Sequence, residues 1–212
     1  MKGYYFITDK KLSRLGNLSD VKNAIKAGVK IVQYREKEAD TKEMYGEAIK
    51  LRKICNNVFF LINDRIDIAL AANADGVHLG QSDMPYKVAR KLLGKNKIIG
   101  ITVHNLKEAR LAQRLGANYI GISPVFETRT KPDAKNPVGI KLIKKIKQRV
   151  SLPIVAIGGI NLSNARDVVF AGANCICAIS AVITKKDVAR EIEKFNNLFK
   201  KQKGGGRGIK GQ

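Results

Sequence analysis

The sequence predicts a single-domain α/β protein folded as a (β/α)8 TIM barrel. Strand-like and helix-like segments alternate along the chain, eight strand-like segments can be counted, and a short phrase of small residues recurs before several of them. Alternation of this kind is typical of parallel strands joined by helical crossovers. The length of 212 residues fits as well, because barrels of this type start at about 200 residues.

The strand-like segments are short and almost continuously apolar, as expected of strands that are covered on both faces. They occupy residues 4–8, 30–34, 59–63, 76–79, 98–102, 119–123, 153–157 and 175–180. Amphipathic stretches that predict helices lie between them, for instance residues 41–55, 105–115, 140–149 and 161–171.

The recurring phrase of small residues supports a repeat of strand–helix units. Gly28, Gly116 and Gly172 each follow a helix-like stretch and precede a strand, where a left-handed helix cap favours glycine. A doubly wound open sheet is the alternative fold. It would normally show fewer strands and a glycine-rich first loop, which this sequence lacks.

The domain boundary is expected near the carboxyl end of the chain. Residues 1–199 are predicted to form the catalytic barrel, and residues 200–212 a basic, glycine-rich tail that is disordered because it has no core-forming residues. No apolar run reaches the roughly 18 residues that a membrane span needs. The first residues lead straight into a strand rather than a signal peptide, so we expect a cytoplasmic protein without a membrane partner.

The three cysteines do not suggest a disulfide framework. Cys175 and Cys177 are two residues apart in an apolar strand, so both thiols should point the same way. Buried structural cysteine is favoured over a metal or redox role, and the same applies to Cys55.

A formal net charge of +22 has three interpretations. Basic surfaces bind nucleic acid through its phosphates, a positive field attracts small phosphorylated substrates, and basic helices can simply be solvated. Aromatic residues do not interleave with the basic runs as single-strand binding would require. Small phosphorylated substrates are therefore the expected partners rather than nucleic acid, and a homo-oligomer is compatible with these features.

The second strand ends in Gln33-Tyr34-Arg35-Glu36-Lys37, at the barrel end where active sites lie. Alternation places Gln33, Arg35 and Lys37 on one side, so an amide and two cations converge. Such a group suits a diphosphate, with arginine as a bidentate donor and lysine as a point charge. The alternative is a basic loop that faces solvent.

Two aspartates follow neighbouring strands and predict a magnesium site. Asp64 comes directly after the third strand and Asp83 follows the fourth. Magnesium is commonly held by one or two carboxylates, with water and substrate phosphate oxygens completing its shell. The alternative for each aspartate is a helix N-cap, because each precedes a helical stretch.

The last three loops predict a phosphate site. The loop after the sixth strand carries hydroxyl and ammonium groups and is predicted to be an anion-binding lid. Glycines after the seventh strand and Ile179-Ser180 after the eighth allow backbone N–H groups to approach a phosphate. The residues concerned in these loops are Thr128, Arg129, Thr130, Lys131, Gly158, Gly159, Ile179 and Ser180.

The two histidines are less informative. His104 follows the fifth strand and could act as a general base, although a place in the cap of the next helix is an equal alternative. His78 lies inside the fourth strand and is expected to be a satisfied core or rim residue.

Together these motifs resemble the thiamine-phosphate synthase family over the chain up to about residue 199. The resemblance is carried by Gln33-x-Arg35-x-Lys37, Asn63-Asp64, the run from Asp75 to Asp83, Gly121-x-Ser123-Pro124, Thr128-x-Thr130-Lys131 and Gly158-Gly159. Each motif alone is weak, but their order and their placement at strand ends are specific.

The resemblance implies a transferase that joins 4-amino-2-methyl-5-hydroxymethylpyrimidine diphosphate to a thiazole phosphate, with magnesium as cofactor. By position it implies three sets of residues, with Arg35, Lys37 and Lys131 as the catalytic cations. The pyrimidine diphosphate would be held by Gln33, Tyr34, Arg35, Glu36, Lys37, Asn63, Thr102 and Lys131; the thiazole phosphate by Thr128, Arg129, Thr130, Gly159, Ile179 and Ser180; and magnesium by Asp64 and Asp83. Thr102 is a departure, since the family more often has serine there, but the hydroxyl is kept.

Two other activities fit the same fold. A thiazole tautomerase would keep a thiazole phosphate site and use His104, yet would need neither the aspartate pair nor the Gln33–Lys37 motif. An isomerase or decarboxylase of sugar phosphates would work through proton transfers, and no further acid–base carboxylate stands out.

Overall fold

The computed structural model describes residues 1–128, 130 and 136–200. The strands in this part of the chain are β1 Gly3–Tyr4, β2 Phe6–Ile7, β3 Ile31–Tyr34, β4 Phe59–Asn63, β5 Gly76–Leu79, β6 Ile98–Val103, β7 Tyr119–Ile122, β8 Ile154–Ile157 and β9 Cys175–Cys177. The helices are α1 Asn17–Lys26, α2 Thr41–Ile54, α3 Ile66–Ala71, α4 Tyr86–Leu93, α5 Leu106–Leu115, α6 Gly139–Lys147, α7 Ala165–Phe170, α8 Ile179–Ile183 and α9 Val188–Lys200.

The strands form one parallel sheet that wraps into a nearly closed barrel, which confirms the predicted fold. The sheet order is β1-β9-β8-β7-β6-β5-β4-β3-β2. The predicted first strand is divided in two, because its first half pairs with β9 and its second half with β3. Tyr5 joins the halves, and its N–H donates to the carbonyl of Ile176 at 2.9 Å. All eight predicted strands are present.

The predicted extent of the last strand, to residue 180, is wrong. Strand β9 ends at Cys177, and Ile179 and Ser180 begin the short helix α8. The Tyr4 hydroxyl donates to the carbonyl of Ala178 at 3.0 Å and accepts from its N–H at 3.3 Å, so Ala178 is satisfied without a strand partner. A continuous apolar run cannot distinguish a strand from a buried helix, which is why the sequence missed this change.

Two apolar layers hold the barrel together. The interior is filled by Tyr5, Ile7, Ile31, Leu61, Tyr119, Val155, Cys175 and Cys177. A larger layer lies between strands and helices and includes Phe60, Ile62 and Leu51. Cys175 and Cys177 point the same way, as predicted, and are buried free thiols. Burial raises the pKa of Cys175 to about 12, so the thiol stays protonated at neutral pH.

The helix ends agree with the repeat that the small residues predicted. Gly116 follows α5 in a left-handed conformation and caps it through the carbonyl of Ala112. Helix α9 runs to Lys200, one residue past the predicted boundary at 199. The tail predicted to be disordered lies, from residue 201, outside the described residues. Among the helices that are described, none has the length and apolarity to cross a bilayer.

Candidate active site

A cavity of about 400 Å³ opens at the carboxyl ends of the strands, where the sequence predicted the site. Most of the residues expected to bind ligands meet there. The predicted residues that line it are Gln33, Arg35, Lys37, Asn63, Asp64, Asp83, Thr102, Thr128, Thr130, Gly159, Ile179 and Ser180. Arg129 and Lys131 lie outside the described residues.

The cation group after β3 converges as predicted. Gln33 is buried in the barrel and its Nε2 donates to the Tyr5 hydroxyl at 2.8 Å. Arg35 lies one layer higher, with its guanidinium 3.9 Å from the carboxylate of Asp9. Lys37 pairs with Asp64, which follows the neighbouring strand β4. The alternative of a solvent-facing basic loop is therefore wrong for Gln33 and Arg35, whereas Lys37 lines the cavity and is also half exposed to solvent.

Tyr34 is also assigned to the ligand by the resemblance, but its side chain is not directed into the cavity. It packs in the layer between the barrel and the helices, where its hydroxyl donates to Glu47 of α2 at 2.8 Å. Alternation along a strand requires this outward direction when Gln33 and Arg35 point inward. Tyr34 thus anchors the strand to a helix.

Glu36 folds back onto its own loop. Its Oε1 accepts from the N–H groups of Lys37 at 2.7 Å and Glu38 at 2.8 Å. Burial alone would raise the pKa of the Glu36 carboxyl, but these backbone donors outweigh it and lower the pKa below its ordinary value. Glu36 therefore shapes the segment that carries Lys37, and its side chain does not line the cavity.

Asp64 and Asp83 come together at the mouth of the cavity. Asp64 takes a left-handed backbone conformation, with φ 61°, where the chain leaves β4. Asp83 accepts from the N–H of Gly80 at 2.6 Å. Burial, followed by the side-chain contact with Asp64, raises the pKa of Asp83 above its ordinary value. The helix N-cap alternative is wrong for both, since Arg65 and Pro85 hold those positions.

The donor set at this point fits a magnesium ion. Two carboxylates in contact, with a raised pKa at one of them, indicate negative charge that a cation would relieve. Within the described ranges no three His, Cys, Asp or Glu side chains form a site that could hold a metal by themselves. A metal at Asp64 and Asp83 would thus take its other ligands from water and substrate, as magnesium commonly does.

The loop after β7 is tied to the loop after β8. The N–H of Val125 donates to the carbonyl of Ile157 at 2.9 Å, and that of Phe126 to the carbonyl of Gly158 at 3.1 Å. Thr128 and Thr130 extend from this loop into the cavity wall, and the N–H of Thr130 donates to the Thr128 hydroxyl at 3.3 Å.

Gly159 is required by a close approach of these two loops. Its φ is +63°, and a Cβ atom there would lie 2.3 Å from the carbonyl oxygen of Glu127. The sequence predicted glycine for close approach of backbone to a phosphate, whereas the contact seen is with the neighbouring loop. Gly159 therefore sets the distance between the loops that follow β7 and β8.

Ile179 and Ser180 reach the cavity from the first turn of α8. The first N–H groups of a helix have no intrahelical partner and point out of its amino end. This arrangement gives the backbone donors that the sequence predicted, although it assigned them to a strand end.

The floor of the cavity holds residues that sequence reasoning left out of the site. Ile7, Ile157 and Cys177 form an apolar patch there. Period-two alternation along their strands was the available signal, because it places them inside the barrel with Gln33 and Tyr5.

Both histidines line the cavity. His78 is buried and satisfied, as expected: Nδ1 lies 2.8 Å from the Tyr119 hydroxyl and Nε2 2.8 Å from that of Thr102. His104 Nδ1 lies 2.6 Å from the carbonyl of Ser123, to which it must donate. The His104 N–H donates to Glu108 in the first turn of α5, so this histidine is also part of a helix cap.

Fold and cavity together define a class: a (β/α)8-barrel enzyme with cations, a carboxylate pair and free backbone donors at the carboxyl ends of its strands. Residues 4–182 match the family described as thiamine monophosphate synthase (TMP-TENI). The chain belongs to this family.

Individual relatives agree. The chain is 50% identical over 199 residues to the thiamine-phosphate synthase of Methanosarcina barkeri strain Fusaro, covering 93% of this chain and 90% of the relative. It is 50% identical over 197 residues to that of Chloroflexus aurantiacus, covering 92% and 91%. The solved structure of a thiamine phosphate pyrophosphorylase from Pyrococcus furiosus superposes with a TM-score of 0.86 at 39% identity, covering 94% of this chain and 96% of that one.

Proposed function

We propose that the chain is a thiamine-phosphate synthase, which joins 4-amino-2-methyl-5-hydroxymethylpyrimidine diphosphate to a thiazole phosphate and releases pyrophosphate. One observation carries the proposal beyond family membership: the cations Arg35 and Lys37 line the same cavity as the carboxylates Asp64 and Asp83, and Lys37 pairs with Asp64. Binding a diphosphate together with magnesium requires both the cations and the carboxylate pair. A thiazole tautomerase requires neither of these groups.

The diphosphate end of the substrate would lie against Arg35 and Lys37. Both side chains extend from the loop after β3, and the family resemblance assigns Lys131, which lies outside the described residues, to the same end. Asn63 offers a further donor, because it is buried and its Nδ2 has no partner among the described residues. An unpaired buried amide is costly, so this atom supports a ligand acceptor beside it.

Magnesium would be held by Asp64 and Asp83. Bound there, the ion supplies positive charge to the diphosphate oxygens and lowers the cost of their growing negative charge. Lys37, now paired with Asp64, would be freed for the diphosphate when the metal takes over the carboxylate.

The thiazole phosphate would lie against the opposite wall. Its donors are the N–H groups of Gly159, Ile179 and Ser180 and the hydroxyls of Thr128 and Thr130. Phosphate sites in barrels of this type commonly use the loops after the last two strands and the amino end of a short helix.

The chemistry needs positioning and charge stabilisation rather than a protein nucleophile. The bond from the pyrimidine's methylene carbon to the diphosphate oxygen breaks, and its electron pair leaves with pyrophosphate. Arg35 and Lys37 stabilise that charge, which is electrostatic transition-state stabilisation. The thiazole nitrogen, held beside the carbon, then supplies the electron pair of the new carbon–nitrogen bond.

The test is an assay of purified protein with both precursors, with and without magnesium, following thiamine phosphate and pyrophosphate together. The proposal expects both products in equal amounts, and only with the metal. Isomerisation of the thiazole phosphate without pyrophosphate release would instead favour the tautomerase. Turnover that is unchanged by metal removal would contradict the role of the aspartate pair.

A further inference from the structure

We propose that Tyr5, His78 and Tyr119 form a hydrogen-bonded relay inside the barrel that sets, as one unit, the hydrogen-bonding directions of Gln33 and Thr102 at the cavity. The inference rests on the proposed function and deepens it, since it names what selects the aminopyrimidine. Tyr5, His78 and Tyr119 are positioning residues in this account, because they act through Gln33 and Thr102.

The relay is continuous from one side of the cavity floor to the other. Gln33 Nε2 lies 2.8 Å from the Tyr5 hydroxyl, which lies 2.7 Å from the Tyr119 hydroxyl. The Tyr119 hydroxyl lies 2.8 Å from His78 Nδ1, and His78 Nε2 lies 2.8 Å from the Thr102 hydroxyl. Every contact has the length of a good hydrogen bond.

The barrel is built to hold this chain of groups. The rings of His78 and Tyr119 stack with centroids 5.5 Å apart. Gly100 leaves room for Tyr119, since a Cβ atom there would lie 2.0 Å from the tyrosine ring. Gly121 does the same for His78, whose ring a Cβ atom would approach to 3.0 Å. Two glycines facing two rings indicate a fixed arrangement.

The direction of each bond follows from the first one. The amide Nε2 of Gln33 can only donate, so the Tyr5 oxygen accepts and the Tyr5 proton goes to Tyr119. The Tyr119 proton then goes to His78 Nδ1, and a neutral imidazole must donate from Nε2 to Thr102. The Thr102 proton is left for the cavity. Burial raises the pKa of both tyrosines, so their protons stay in place at neutral pH.

The result is a matched pair of ligand contacts. Gln33 offers its amide oxygen as an acceptor, and Thr102 offers its hydroxyl proton as a donor. A 4-aminopyrimidine diphosphate presents the complement, an amino donor together with ring-nitrogen and phosphate acceptors. A 4-oxo analogue presents an acceptor in place of the amino donor. Turning the Gln33 amide over would reverse every bond of the relay, so one contact cannot change without the other.

The first test reads the His78 tautomer without substrate. The chain has two histidines, so 15N-histidine labelling gives the ring-nitrogen signals of two imidazoles, four in all, assigned with His104→Asn. The relay predicts a proton on Nε2 of His78 and none on Nδ1. In Gln33→Glu the new carboxylate beside Arg35 can only accept, so the proton should move to Nδ1. In the double variant Gln33→Glu, Tyr119→Phe, the His78 proton should no longer move in response to the change at Gln33.

The second test measures substrate selection. It remains available if Gln33→Glu, which introduces a charge into the barrel, fails to fold. In Tyr119→Phe, the preference in kcat/KM for the 4-amino over the 4-oxo pyrimidine diphosphate should fall about tenfold, the value of one hydrogen bond. The KM for the thiazole phosphate should not change. Tyr86→Phe is the matched control, because it removes a tyrosine hydroxyl bonded to Gly116 away from the cavity.

A His78 that is protonated on both nitrogens, or whose tautomer ignores Gln33→Glu, would overturn the relay. So would an unchanged preference in Tyr119→Phe. A wild-type protein that makes no thiamine phosphate would overturn the proposed function instead, and the tautomer measurement separates the two failures.

Discussion

Lys37 and Asp64 form an ion pair at the mouth of the barrel, where they join the ends of the neighbouring strands β3 and β4. The pair joins a cation proposed for the diphosphate to a carboxylate proposed for magnesium. Each side chain therefore holds its partner in place, and under the proposed function substrate and metal would replace the contact. This relationship makes the two residues the most informative targets for mutation.

Asp64→Asn should lower kcat/KM at least about 100-fold, because a neutral amide cannot neutralise the metal and the diphosphate loses the associated stabilisation. The unfolding temperature should stay near that of wild type. Steady-state kinetics over a magnesium titration would measure the effect. Asp67→Asn is the control, since Asp67 carries the same group three residues away and pairs with Arg65 at the surface. Equal losses in both variants would contradict the metal role.

Lys37→Met should impair the use of the pyrimidine diphosphate, with kcat/KM reduced by roughly 100-fold, since a charge that stabilises the leaving group is lost. The KM for the thiazole phosphate should change little, because that phosphate is proposed to lie against the opposite wall. Lys10→Met provides the comparison: Lys10 pairs with Glu43 on the surface, 2.6 Å apart. A larger effect on the thiazole substrate would show that the two walls are assigned the wrong way round.

Gly159→Ala should destabilise the fold by about 1–3 kcal/mol and raise the KM for the thiazole phosphate, because the added methyl meets the neighbouring loop in a strained backbone conformation. The contact would be 2.3 Å from the Glu127 carbonyl. Gly46→Ala in α2 has open space around it and should instead stabilise by about 1 kcal/mol. Chemical denaturation of both variants would measure the change in the free energy of unfolding, and a loss in Gly46→Ala as large as that in Gly159→Ala would contradict the close contact.

Asp20 predicts a pH dependence of stability. Its side chain is buried, its Oδ2 has no partner among the described residues, and burial raises its pKa despite a hydrogen bond from Ser13. The folded state therefore binds a proton more readily than the unfolded state, so this group's contribution to stability falls as pH rises from its ordinary pKa of 3.8 through its raised folded value. Above that window the charged group is a net cost.

Asp20→Asn should thus raise the unfolding temperature at neutral pH and flatten its fall between acidic and neutral pH. Thermal unfolding at several pH values would measure this. Asp67→Asn should show the opposite sign, since the contact with Arg65 lowers the pKa of Asp67. If the unfolding temperature of Asp20→Asn depended on pH as steeply as that of the wild type, a group other than Asp20 would be responsible for the pH dependence.

Much of the fold was predictable because the two sequence patterns that indicate it, apolar runs and small residues at helix ends, are local. Apolar runs marked each strand, and small residues such as Gly116 marked helix ends. The end of β9 was not predictable, because Ile179 is as apolar in a helix as in a strand. What decided it was a contact distant in sequence, between Tyr4 and Ala178.

The site was predictable to the extent that alternation and strand ends determine it. Gln33, Arg35 and Lys37 face the cavity as alternation requires, and Tyr34 faces away for the same reason. The relay was not predictable. Tyr5 lies between β1 and β2, His78 on β5 and Tyr119 on β7, so only barrel closure brings their polar atoms together.

The central claim is that this cavity makes thiamine phosphate with the help of the aspartate pair. The most direct measurement is a single-turnover reaction with both precursors and magnesium, in which mass spectrometry follows thiamine phosphate in wild type and in Asp64→Asn. We expect rapid product formation by the wild type, matched by pyrophosphate, and formation slowed at least about 100-fold in the variant. Equal rates in the two proteins, or no product from the wild type, would contradict it.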